Sequence, residues 1–99
     1  MTLSEFKATL NEKNPPANLD TLLQALWHDA NGDWDKAHTL AQDVADADGS
    51  WVHAYLHRKE GDLSNASYWY SRAGRQRPDV SLEEEWERIT EELLARKHQ

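Results

Sequence analysis

The chain contains no cysteine, one methionine, three prolines and four glycines in 99 residues. Without cysteine there are no disulfides, no thiolate metal centres and no cysteine nucleophile. No run of about 18 apolar residues is present, so the sequence offers no transmembrane helix. The first ten residues, MTLSEFKATL, lack the basic and apolar regions of a signal peptide. The cytoplasm is therefore the expected compartment. Basic residues are scarce, eleven against eighteen acidic ones, and the net charge of −7 argues against broad binding to nucleic acid or anionic membranes. Nucleophile motifs, phosphate-binding glycine loops and convincing β-type alternation are also missing. No cofactor is expected, and the enzyme class is disfavoured.

What remains is a chain of one-domain size, residues 1–99, with 38% hydrophobic and 29% charged residues. Five tryptophans give this small domain a means of filling a modest core. Charge is unevenly placed. Residues 1–50 carry a net −6, residues 51–78 a net +3, and residues 79–99 a net −4. A basic centre between acidic flanks suits either local capture of an anionic group or docking on the chain's own acidic C-terminal segment.

The punctuation is helical throughout. Thr2 and Glu5 form a capping-box pattern ahead of Phe6 and Leu10, and Asn14-Pro15-Pro16 stops that helix. Asn18 is positioned to cap a second helix bearing Leu19, Leu22, Leu23, Leu26 and Ala30. Asn31-Gly32 ends it, and Asp33 caps the next, which carries Trp34, Ala37, Leu40, Ala41 and Val44. Asp48-Gly49 reads as a stop followed by Ser50 as a cap, opening a helix with Trp51, Val52, Tyr55 and Leu56. Gly61-Asp62 separates this from a helix with Leu63, Ala66, Trp69, Tyr70 and Ala73, which Gly74 ends. Ser81 with Glu84 opens the last helix, about 82–97, with Leu82, Trp86, Ile89 and Leu93 on one face. All four glycines are expected at helix ends that need positive φ. The fold class is all-α, with about six helices.

A shift of 29 residues pairs Ala25 with Ala54, His28 with His57, Gly32 with Gly61, Asp33 with Asp62 and Ala37 with Ala66. These identities mark two stacked helical hairpins, about 19–47 and 51–78. Their Gly-Asp turns and flanking small residues resemble a degenerate tetratricopeptide (TPR) repeat. Ala54, Gly61, Ala66, Ala73 and Pro78 fall on that pattern, and Val44 departs from it. The resemblance covers about residues 19–78 and implies two TPR-like antiparallel hairpins flanked by an N-terminal helix and a C-terminal capping helix. It also implies a groove that binds a peptide or protein, by analogy of fold alone. The run His53 to Tyr70 is also similar to a family of small helical proteins, a likeness that implies no activity.

In the TPR-like frame, Trp51, Tyr55 and Arg58 line the concave groove. Together with Arg72 they are the expected partner-binding residues, for a partner bearing a carboxylate. The N-terminal helix could instead fill that groove with Phe6 and Leu10. An alternative function class, a small-ligand- or anion-binding protein or small enzyme, would use His53, His57 and Arg58. His53 and His57 share a helix face at i, i+4, but two imidazoles do not make a metal site. His28, His38, Glu60 or Asp62 would have to supply a third ligand. Packed, hydrogen-bonded histidines and no tight zinc site are therefore expected. Consecutive Tyr68, Trp69 and Tyr70 cannot all face inward, and a cation–π contact with Arg72 is expected. The C-terminal stripe is expected to cap the array of a monomer rather than to pair two chains.

Overall fold

A computed structural model describes residues 1–96, and it is all-α among them. Six helices follow in order: α1 (Leu3–Thr9), α2 (Thr21–Ala30), α3 (Trp34–Gln42), α4 (Ala47–Glu60), α5 (Leu63–Arg72) and α6 (Leu82–Arg96). The sequence-based end of the last helix, residue 97, lies outside the described residues. Among the described residues no helix is long and apolar enough to cross a membrane.

The helix starts follow side-chain chemistry. Thr2 and Glu5 close a complete capping box on α1. Asp33 and Asp62 accept the backbone N–H groups of Lys36 and Asn65, and Ser81 accepts that of Glu84. Each cap satisfies an amide that the first turn of a helix leaves without a partner. Two starts differ from expectation. Asp20, not Asn18, caps α2 by accepting from Leu23. Asp46, not Ser50, caps α4 by accepting from Gly49.

That second shift changes the role of Gly49. Gly32, Gly61 and Gly74 take positive φ, as helix-end glycines do, whereas Gly49 sits inside the first turn of α4. A Cβ there would stand 1.9 Å from the Val44 carbonyl oxygen. The α3–α4 link crosses directly over this turn, and only a residue without a side chain admits it.

The short Gly-Asp turns fold α2 onto α3 and α4 onto α5, and α3 then packs on α4. The last helix does not extend this series. It packs on α2 and α4, and α1 packs on it in turn. Trp86, Ile89, Leu93 and Leu94 are buried and belong to one continuous core with Leu22, Leu26, Val52 and Leu56. Phe6 is fully buried and tilts against Trp86 at 5.9 Å between ring centroids. The indole Nε1–H of Trp86 donates to the Leu26 carbonyl at 3.0 Å, so its one polar atom is satisfied in the core. The backbone of α5 packs on α4 alone.

Candidate functional site

The concave face of α2 and α4 is where the expected groove would lie, and α6 occupies it. Trp51 and Tyr55 are therefore core residues, 7% and 2% exposed. The Arg75 guanidinium lies over the Trp51 ring, 3.4 Å from its centroid, and covers that face. Tyr55 donates its hydroxyl proton to Asp29 at 3.1 Å, and Lys59 donates to the other carboxylate oxygen at 2.9 Å. Burial, then the Asp29 carboxylate, push the Tyr55 phenol far above its ordinary pKa. Lys59 thus pairs with a buried acid.

Arg58, expected to project freely into the groove, is turned under α6. Its guanidinium donates to Glu85 Oε1 at 2.7 Å and to the Val80 carbonyl. Glu85 is 1% exposed, and Tyr70 donates to its other oxygen at 2.6 Å. The basic centre of the chain therefore grips the acidic C-terminal helix. Arg75 adds an outer pair with Glu92. Trp51, Tyr55 and Arg58 are thus packed against α6 and its approach rather than projecting into an open groove. What remains open of the groove is a cleft of about 290 Å³ near Lys7, Leu10, Asp29, Lys59 and Trp86.

The histidines lie on the other side of α4, between α3 and α5. His53 and His57, each 6% exposed, share one face of α4 with rings 4.7 Å apart. Half-buried His38 reaches over from α3, with its ring centroid 4.6 Å from that of His53 and 5.1 Å from that of His57. His38 Nε2 and His53 Nε2 are 2.9 Å apart, a hydrogen bond that shares one proton. His57 Nδ1 meets Glu60 Oε1 at 2.6 Å. One ring nitrogen from each of the three lies within 4.8 Å of the others. Arg58 does not join them.

Aromatic rings wall the cluster at both ends. Trp34 stacks on His38 at 4.9 Å and 10° between planes, and its Nε1–H is spent on the Leu56 carbonyl. Trp69 stacks on His53 at 4.0 Å and 18°. Burial, with His38 and His57 adding to it, lowers the His53 pKa from 6.5 to about 4, so its imidazole is neutral at pH 7. Burial also lowers the pKa of His38. The stack continues outward from Trp69 to Arg72, whose guanidinium carbon is 5.3 Å from the Trp69 ring and 5.7 Å from the Tyr68 ring.

Of the three consecutive aromatics, Tyr70 is buried, Trp69 half-buried and Tyr68 54% exposed. The expected cation–π contact of Arg72 is present. His28, the repeat counterpart of His57, stands apart and packs edge-on against Trp27. The sequence singled out His53 and His57 and named His38 only as one of four possible third ligands. Trp34 was assigned to an apolar stripe, not to this cluster. Comparison with protein-family models, curated proteins and solved structures yields no match.

Proposed function

We propose that this chain is a non-enzymatic, TPR-like interaction module, and that a protein partner meets it on α5 rather than in the groove. Arg72 carries the reading. It has no acidic residue within ion-pair distance among the described residues, and it lies against the Trp69 and Tyr68 rings while donating to the Tyr68 hydroxyl at 3.1 Å. An aromatic-backed guanidinium with donors to spare suits the carboxylate of a partner. Tyr68 and Leu63, 54% and 47% exposed, supply apolar area beside it. In a repeat array the next hairpin would cover this side, but here α6 has gone to the groove and left it open.

The test is differential capture from the source cell by wild type, Arg72→Glu and a distant surface variant, Lys36→Glu. All three are expected to melt at the same temperature. A protein held by wild type and Lys36→Glu but lost by Arg72→Glu supports the reading. Equal capture by all three overturns it. A second reading, ligand binding by His53 and His57, is favoured by their convergence with His38, and it leads to the inference below.

A further inference from the structure

We propose that His38, His53 and His57 form a binding site for one divalent transition-metal ion of the zinc class. The site is independent of any protein partner on α5. The observation behind it is the meeting of three imidazoles from two helices, with one nitrogen of each within 4.8 Å of the others.

A zinc ion bound by imidazoles at about 2.0–2.1 Å sets its ligand nitrogens roughly 3.3 Å apart in a tetrahedron. His38 Nε2 and His53 Nε2, at 2.9 Å, already face each other at nearly that separation. They now share a single proton between two lone pairs. When a metal ion replaces that proton, each ring carries its N–H on Nδ1 and gives its Nε2 lone pair to the ion. No net proton is released from either neutral ring.

His57 is prepared by its neighbour. Its Nδ1 lies 2.6 Å from Glu60 Oε1, a partner that favours the N–H on Nδ1 and, in the neutral ring, leaves Nε2 to face a metal ion. A carboxylate that orients a histidine through its second nitrogen is a recurrent support of metal sites. The pair His53 and His57 is one helical turn apart on α4, which aligns the two rings on one face. Trp34 and Trp69 clamp His38 and His53 against rotation. Three protein ligands would leave a fourth position of a tetrahedral ion for water.

Three nitrogen donors and no thiolate fit zinc, cobalt, nickel and copper, and they fit magnesium and calcium poorly. A second grouping, His57 with Glu60 and Asp62, does not compete. Asp62 is committed to capping α5, and Glu60 to His57.

The experiment uses Co²⁺ as a spectroscopic probe and Zn²⁺ as competitor, on the full chain after treatment with a chelator. One Co²⁺ per chain is expected, with the intense visible absorption of tetrahedral coordination, displaced stoichiometrically by Zn²⁺ and unaffected by Mg²⁺. His38→Ala is the primary variant, because its side chain is half-buried and its loss leaves the α4 core intact. It is expected to abolish the tetrahedral spectrum, and His53→Ala to do the same. Glu60→Gln is expected to weaken binding about 10–100-fold without altering the spectrum's shape. His28→Ala is expected to bind as wild type does. Circular dichroism checks that each variant is folded. Millimolar affinity, a weak octahedral spectrum, or a tetrahedral site that survives His38→Ala would each overturn the proposal.

Discussion

Arg58 and Glu85 meet at 2.7 Å beneath α6, with the carboxylate 1% exposed and the guanidinium largely covered. A buried acid held by one cation and one phenol makes removal of either partner costly, because the charge left behind cannot be hydrated. Arg58→Ala is therefore expected to destabilise the fold by about 3–5 kcal/mol. The double substitution Arg58→Met with Glu85→Leu is expected to recover part of that loss, since the Tyr70 hydroxyl and Val80 carbonyl lose these partners. Urea denaturation of the three proteins checks it, and a single substitution costing under about 0.5 kcal/mol would contradict the pairing.

Gly49 and Gly32 are expected to respond differently to alanine. At Gly32 the space is open and the cost is backbone strain at φ +85, about 1 kcal/mol. At Gly49 the new methyl would collide with the Val44 carbonyl, so the α3–α4 link has to move. Gly49→Ala is expected to lower the melting temperature markedly more than Gly32→Ala. The reverse order would place the start of α4 elsewhere.

Asp33 and Asp62 occupy equivalent places in the two hairpins, and each accepts one first-turn amide. Replacing either by alanine is expected to cost on the order of 1 kcal/mol. Both sites are exposed and far from the core, so the costs are expected to add. A melting curve unchanged by the double substitution would remove the caps from the account of stability.

His53 makes stability depend on pH in a defined direction. Its pKa is about 4 in the fold against 6.5 for the free side chain, so between those values the unfolded chain binds the extra proton. The contribution is complete above pH 6.5 and is lost as pH falls toward 4, with a slope of up to about 1.4 kcal/mol per unit. Comparing wild type with His53→Leu in a chelating buffer isolates it. Parallel stability–pH curves for the two proteins would mean that His53 is not held neutral by its surroundings.

Helix identity was legible because it is written locally. Asp33, Asp62 and Ser81 each act on an amide three residues ahead, so reading the cap is reading the bond. The start of α4 was misplaced for the same local reason. Asp46, Asp48 and Ser50 are all competent caps, and the choice among them depends on how the Val44 carbonyl crosses Gly49. The burial of His53 and His57 followed from their place on a packed face. The destination of α6 did not, because the stripe Leu82, Trp86, Ile89 and Leu93 states that a face will be buried without stating against what. The segmental charges pointed to docking of the basic centre on the acidic C-terminal segment, yet only the placed helix turned Arg58 from an expected groove ligand into the partner of buried Glu85. His38 joins the cluster through the packing of α3 on α4, which no spacing within one helix encodes.

The position of α6 also sets an order of events for the growing chain. The hairpins α2–α3 and α4–α5 can close from neighbouring sequence as they leave the ribosome. The Trp86 indole, however, reaches a carbonyl sixty positions earlier, and Lys7 waits for Glu87 eighty positions later. Leu22, Leu26, Val52 and Leu56 share one core with Trp86, Ile89, Leu93 and Leu94, so that core is complete only with α6 in place. Contacts of such separation form late, because loop closure has to precede them. The hairpins thus rest on near neighbours in sequence, while the closing of the core rests on partners sixty to eighty positions apart, the kind of contact whose loop closure slows folding.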